Sequence, residues 1–436
     1  MGGGGNDTHG KKINFFIHEM HSIMQDSVDR EYVVNQMKTF KLKFKDDNYI
    51  FKLLFLRTAN LLLAKYEFTH RYTELFSMPF LLMLDPSNTC QLHCPGCLHT
   101  IGQTGFIWEN AVMTETIFDN IITMFGPYCM YMDFYNYGEP FINKLTPMFV
   151  SKARKYGTPL SISTNLSLRI DAEEIVKSGL DMLLVSIDGA TPETYSKYRR
   201  GGNFNLVLEN IKKLVSAKKE MNVEHPAIVL RFLTFEHNVH EIDEFEKIVK
   251  EMDVNMFAIL TPFSVEWDDP NIKVASVPNS GHFVIKPSKF ETHADQMLGH
   301  LDIDTILFAY SNFLEGCESG KATENPIQTE RKICTYLYQN ITFDAFGNVM
   351  PCCQGPKNRN ETTLHYGTIS DNCYNSDLYI EARKYFVNSY NETRAQCKIC
   401  KPPVDLVYLN DIRKYMYSLR LYSILDKDSI EMLTNW

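Results

Sequence analysis

The sequence has no long unbroken apolar run. Its longest, residues 51–64, is interrupted by Lys52, Arg57 and Asn60, whereas a membrane-spanning helix needs about 20 apolar residues in a row. The opening Met1-Gly2-Gly3-Gly4-Gly5-Asn6 lacks the apolar core of a secretory signal, so the expected location is cytoplasmic. Basic charge is not in excess: 44 Lys and Arg stand against 53 Asp and Glu, a net charge of −9. That balance argues against a nucleic-acid surface and for small molecules or peptides as substrates. There is no internal repeat, and no low-complexity tract beyond the opening glycines. A disulfide framework is also disfavoured, because the 11 cysteines are an odd number and most fall into two spaced groups. Such grouping fits metal ligation in a reducing compartment. At 436 residues the chain has room for two or three domains.

Between residues 79 and 262 short β-branched or aromatic runs alternate with amphipathic segments, the rhythm of repeated βα units around a parallel sheet. The expected strands are 80–84, 131–137, 160–164, 182–187, 228–235 and 255–260. The expected helices are 114–125, 145–156, 172–178, 205–221 and 239–252, with Asp171 and Glu174 placed as an N-terminal cap and its reciprocal acid. Six units predict an α/β fold with a partial (β/α)6, TIM-like barrel, whose chemistry sits at the carboxyl ends of the strands. Residues 1–78 read as a mostly helical extension. Within it 39–45 alternates with period two, 46–48 is a plausible turn and 49–63 reads as a helix or, alternatively, a returning strand. This basic, apolar segment packs over the barrel or, alternatively, lies on a membrane surface. Residues 263–333 are expected to carry the last barrel helix and a linker, with 295–313 helical. Residues 334–403 form a small cysteine-rich domain, and 404–436 a helical tail.

Chemistry is concentrated in the cysteines. Cys90, Cys94 and Cys97, in Cys90-Gln91-Leu92-His93-Cys94-Pro95-Gly96-Cys97, follow the first strand directly. Three thiolates with no fourth nearby leave one iron of a [4Fe–4S] cubane open. The alternative is a zinc site completed by His93 or His99. A second group, Cys334, Cys352, Cys397 and Cys400, brings four thiolates together. Its first pair is joined by an expected hairpin, 340–343 and 349–352, turning at 344–348, where Gly347 takes positive φ cheaply. Four thiolates close a cluster, or alternatively a Cys₄ zinc knuckle. Cys129, Cys317, Cys353 and Cys373 are left over and read as small apolar residues.

Three further stretches end expected strands: Tyr137-Gly138-Glu139-Pro140, Ser163-Thr164-Asn165, and Ser186-Ile187-Asp188-Gly189 followed by Thr194-Tyr195-Ser196-Lys197-Tyr198-Arg199-Arg200. Together with the CxxxCxxC run they resemble the radical S-adenosylmethionine (SAM) superfamily. The second cysteine group resembles the twitch domain, the shortened form of the SPASM domain that holds one auxiliary [4Fe–4S] cluster. The resemblance covers roughly 79–262 and 334–403. It implies that the open iron binds SAM and that Gly138, Glu139 and Pro140 meet its amino group. Ser163 and Asn165 would meet the ribose, and the Leu260 backbone the adenine. Ser186 with Arg199 or Arg200 would take the carboxylate, which suits a guanidinium fork.

The expected function is a radical SAM oxidoreductase or epimerase that abstracts a hydrogen atom from a sugar, cyclitol or sugar nucleotide. Its electrons would come from a flavodoxin or ferredoxin. One alternative is a maturase of a ribosomally made peptide, for which a leader-binding module or an open strand edge is expected. Another is a non-catalytic Fe–S or zinc scaffold, against which the intact 138–140 and 163–165 motifs speak. Methyl transfer is disfavoured by the lack of a cobalamin-domain signature.

Overall fold

The computed structural model describes residues 5–27, 29–43, 49–97, 99–100, 110–262, 269–286, 333–350, 367–370, 372–388 and 427–429. Three helices lead: α1 (Gly5–Asp26), α2 (Arg30–Lys43) and α3 (Tyr49–Thr69). Strands and helices then alternate as β1 (Leu81–Leu84), α4 (Glu115–Phe125), β2 (Tyr131–Asp133), α5 (Thr146–Ala153), β3 (Leu160–Thr164), α6 (Ala172–Lys177), β4 (Met182–Ser186), α7 (Pro192–Tyr198), α8 (Phe204–Glu220), β5 (Ala227–Leu233), α9 (Ile242–Glu251) and β6 (Met256–Leu260). After these come β7 (Gly281–Val284), α10 (Tyr336–Gln339), β8 (Asn340–Phe343), β9 (Asn348–Met350), β10 (Gly367–Thr368) and α11 (Asp377–Asn388).

The strands form one sheet in the order β10-β9-β8-β1-β2-β3-β4-β5-β6-β7. From β1 to β6 each strand pairs in parallel with the next. Every crossover therefore steps one place in the same direction, which is barrel winding rather than the two-way winding of an open sheet. The barrel is partial: β1 has β8 on its other side, and β6 has β7. Apolar side chains lock the helices to one another and to the sheet. The Phe118 ring of α4 stacks on Phe149 of α5 at 4.3 Å, and Phe232 of β5 lies 4.8 Å from Phe245 of α9. Helix starts follow sequence chemistry. Asp171 caps α6 by accepting the Glu174 N–H at 2.9 Å, and Thr191 with Thr194 forms a capping box on α7.

The leading helices close the amino-terminal end of the barrel. Arg57 of α3 is fully buried and donates to the carbonyl oxygens of Pro127 (2.8 Å), Gly126 (3.2 Å) and Tyr156 (2.6 Å) and to Thr158 Oγ1 (3.1 Å), in the loops that enter β2 and β3. Almost every α3 side chain from Leu53 to Ala64 is buried, so α3 offers no face to a membrane surface. No helix among the described residues is long and apolar enough to cross a membrane. Two local readings differ from expectation. The alternating 39–45 stretch is helical as far as Lys43, because α2 continues through it. The expected linker contains β7, an antiparallel strand on β6 with Val284 63% exposed. The 46–48 turn and the 295–313 helix lie outside the described residues.

Candidate active site

Because β1 to β6 run parallel, their carboxyl ends share one rim, and the cysteine loop leaves β1 directly onto it. Backbone contacts pin the loop. The His93 N–H donates to Arg200 O at 2.9 Å, the Glu139 N–H to Thr89 O at 2.8 Å, and the Ala111 N–H to Asn88 Oδ1 at 2.6 Å. Gln91 Nε2 reaches Asn165 Oδ1 (2.9 Å) and Ser167 O (3.1 Å), which ties the loop to the end of β3.

Each sulfur meets donors. Cys90 Sγ accepts from the Leu92 N–H (3.4 Å) and Asn165 Nδ2 (3.6 Å). Cys94 Sγ faces Arg199 Nη1 at 3.8 Å, and Cys97 accepts from the backbone N–H groups of His99 and Thr100, where the chain turns helical. Around them Leu92, Tyr198, Phe235 and Ile272 make an apolar cluster. Burial pushes the Cys90 thiol up to about 12 and the Cys94 thiol to about 11, while Arg199 pulls Cys94 down. Such thiols become thiolates when a metal takes the proton's place, and the donors suit thiolate sulfur, so the set fits an iron–sulfur cluster. It fits Cys₃His zinc poorly. His93 is exposed, and His99 accepts the Cys90 N–H on Nε2 at 3.2 Å. Among the described residues no three Cys, His, Asp or Glu side chains crowd one point as ligands of a single ion would. A cubane needs no such convergence, since each thiolate holds a different iron.

The remaining predicted residues gather on the same rim, with roles the structure refines. Gly138 is forced by space: a Cβ there would sit 1.6 Å from Ser87 O. Glu139 turns inward. Its Oε1 accepts from Thr164 Oγ1 (2.6 Å) and the Phe141 N–H (3.2 Å), and its Oε2 from the Asn165 N–H (2.8 Å). Burial nevertheless raises its pKa to about 7. Its carboxylate thus braces the β3 turn, and Pro140, buried, starts a short 3₁₀ turn behind it. Asn165 faces the cysteine loop through Cys90 and Gln91. Of the two candidate arginines, Arg199 points in, with Nε 2.5 Å from Asp188 Oδ2. Arg200 points out to Asp269. The Leu260 carbonyl accepts the Thr234 N–H at 3.0 Å.

Ser163 and Ser186 share a partner that sequence reasoning missed. Arg231 of β5 donates to Ser163 Oγ and, at 3.0 Å, to Ser186 Oγ. Phe232 packs on the helices, so Arg231, one residue earlier, faces the concave side. A lone Arg in the run Ala227–Leu233 breaks the apolar pattern of a buried parallel strand, and that was the available signal. Asp85 and Asp188 were also missed. Asp188 holds Arg199 and accepts the Leu233 N–H at 2.7 Å. Asp85 accepts the Tyr137 and Gly138 N–H groups at 3.2 and 3.4 Å.

In the C-terminal unit, β8 and β9 form the expected hairpin, with Gly347 at φ +80° and Asp344 accepting the Phe346 and Asn348 N–H groups in the turn. Cys334 is buried beside it. Cys352, Cys397 and Cys400 lie outside the described residues.

Residues 84–252 match the Radical SAM superfamily. Among curated proteins, a GTP 3',8-cyclase of Limosilactobacillus fermentum is 26% identical over 220 residues, 49% of this chain and 62% of that protein. The tungsten-containing aldehyde ferredoxin oxidoreductase cofactor-modifying protein of Pyrococcus furiosus is 24% identical over 280 residues, 60% of this chain and 77% of its own. The chain thus spans less than two thirds of the first of these relatives. Among solved structures, SuiB of Streptococcus suis bound to precursor peptide SuiA aligns with 76% of this chain and 71% of its own, at 13% identity and TM-score 0.45. None of these names carries a sugar substrate. With a three-cysteine loop at the mouth of a parallel partial barrel and a family match across that barrel, the chain carries a radical SAM domain over residues 84–252.

Proposed function

We propose that the protein cleaves SAM reductively and removes a hydrogen atom from a polar, anionic small molecule seated on the concave face of the barrel, leading to its oxidation or epimerisation. When bound, the cluster and SAM supply a 5'-deoxyadenosyl radical; the chain itself binds, orients and excludes water. The observation that carries this reading is that the cysteine loop is tied to the ends of β3 and β4 by Asn165 and by Arg199 with Asp188. The same rim opens onto a polar strip of adjacent strands: Asp133 with Ser161, then Ser163, Ser186 and Arg231. Cationic Arg231, paired with hydroxyls, suits a phosphate or carboxylate. The relatives named as GTP cyclases make a nucleotide or sugar nucleotide a reasonable member of that class. In the same reading Cys334, Cys352, Cys397 and Cys400 hold a second cluster that would accept the electron released by an oxidation. A peptide substrate is the second reading, favoured by β7, whose outer side has no strand partner among the described residues.

The test is anaerobic reconstitution. Two cubanes require about eight irons per chain, and Cys94→Ala, Cys97→Ala and Cys397→Ala should each lose about four. The reconstituted protein should release 5'-deoxyadenosine under strong reductant, faster with sugar nucleotides than with peptides. A colourless zinc protein without SAM cleavage refutes the reading, and stimulation by peptide alone replaces the substrate class.

A further inference from the structure

We propose that Arg199 is a fixed positive charge set against the Cys94 thiolate to raise the reduction potential of the cluster, rather than a ligand of the SAM carboxylate. This rests on the iron–sulfur reading above. The three sulfurs are not equivalent. Cys90 and Cys97 receive neutral donors, the Leu92 N–H and the Asn165 amide on one and the His99 and Thr100 N–H groups on the other. Cys94 is the one of the three that Arg199 reaches by hydrogen bond, through Nη1 at 3.8 Å, although the same charge also extends to Cys97. The remaining edge of that guanidinium is committed, since Nε and Nη2 both meet Asp188 Oδ2. Asp188 is immobilised in turn: its Oδ1 accepts the Leu233 N–H at 2.7 Å, its carbonyl accepts Asn238 Nδ2 at 3.0 Å, and its own φ is +39°. A guanidinium whose Nε–Nη2 edge is taken by Asp188 and whose Nη1 faces Cys94 offers an incoming carboxylate its end-on edge only. Arg231 donates its hydrogen bonds to the Ser163 and Ser186 hydroxyls, with the Asp188 and Asp133 charges acting on it without a hydrogen bond, and so has more of its fork to offer.

The surroundings amplify the charge. Arg199 is 14% exposed, and Cys94 is buried with Leu92, Tyr198, Phe235 and Ile272, where little water screens the pair. Iron–sulfur potentials respond to net charge and to hydrogen bonds on sulfur. The step affected is the gain of one electron, cluster 2+ to 1+, from a low-potential donor. The added negative charge spreads onto the thiolates, and Arg199 stabilises it while losing no proton.

The experiment is a redox titration without SAM, followed by electron paramagnetic resonance with dithionite as reductant. It compares wild type, Arg199→Gln, Arg199→Lys and Asn165→Ala at matched iron content. Arg199→Gln should lower the ratio of reduced to oxidised cluster at a fixed potential roughly tenfold, a shift of about 60 mV for one electron. Arg199→Lys should shift less, and Asn165→Ala, which removes a neutral donor, least. SAM affinity of the oxidised holoprotein should stay within about threefold of wild type in Arg199→Gln. An unchanged potential with lost SAM affinity would overturn the proposal in favour of a carboxylate ligand. Should Arg199→Gln fail to take up iron, Asp188→Asn is read instead: removing the carboxylate that offsets Arg199 should raise the potential, and an unchanged or lowered one overturns the proposal. Wild-type protein without any cluster signal would instead sink the functional reading itself.

Discussion

Asp85 offers the sharpest test of how this site is built. It ends β1, has no exposed surface, and holds the Tyr137 and Gly138 N–H groups with its two oxygens while the Asp344 carboxyl lies nearby at the end of β8. Burial, opposed by those two donors and reinforced by Asp344, pushes its pKa from 3.8 to about 8. An acid whose folded pKa lies above its unfolded one keeps its full contribution to stability below pH 4. It loses that contribution progressively as the pH climbs to about 8. About 4 pKa units at about 1.4 kcal/mol each set a ceiling near 6 kcal/mol, and relaxation around a buried charge leaves about half. Asp85→Asn removes the ionisation and keeps one acceptor, at a constant cost of about 1 kcal/mol. The variant should therefore be slightly less stable than wild type at pH 5 and more stable at pH 9, by about 2 kcal/mol or roughly 2 °C in melting midpoint for a chain of this length. Glu139, raised to about 7, titrates in both proteins and cancels from the comparison. Midpoints by scanning fluorimetry from pH 5 to 9, at equal iron content, give the answer. Parallel curves for the two proteins would refute the assignment of a neutral Asp85.

Gly138→Ala would drive a Cβ to within 1.6 Å of Ser87 O, a backbone atom that cannot swing aside. The loop must move, so 5'-deoxyadenosine release should fall at least about a hundredfold, with cysteine-bound iron retained. Near-normal turnover would show that the close approach is not needed. At the opposite end of the barrel, Arg57→Met leaves the Pro127, Gly126 and Tyr156 carbonyls without their donor. A loss of about 3 kcal/mol or more is expected in urea unfolding, with the cluster potential unchanged.

The barrel was legible because its parallel strands, buried on both faces, read as apolar runs between amphipathic helices. β7 was not, because an edge strand whose side chains alternate between half-buried and exposed carries little apolar signal. The 39–45 alternation misled for a related reason. Period two in a short run does not outweigh the good helix formers that continue α2 to Lys43. In the site, the cysteine run was readable because its geometry is local, with three cysteines within eight consecutive residues. Arg231, Asp188 and Asp85 act across strands, and nothing in their own neighbourhoods states the partner. The choice between Arg199 and Arg200 turned on one residue's backbone. Arg199 ends α7 at φ −84°, ψ 58°, outside helical geometry, and the break sends one guanidinium to Asp188 and the next to Asp269.

Asp85 also joins the two halves of the chain at one point. Its N–H donates to Phe343 O at 2.9 Å, continuing the β1–β8 ladder, while its carboxyl holds the Tyr137–Gly138 loop. The C-terminal hairpin is therefore not a satellite attached by a tether. Its last residue in β8 and the loop beside the cysteine run are fixed by the same side chain and the same peptide. The Arg383 guanidinium adds a second fastening, donating to Leu337 O at 2.9 Å, Tyr374 O at 2.8 Å and Thr73 O at 3.1 Å, the last ahead of β1. A strain introduced in the hairpin turn at Asp344 has a two-residue route to the rim that carries the cysteine loop. A substitution that loosens Asp344 should thus alter SAM cleavage as well as the C-terminal unit itself, by way of Asp85.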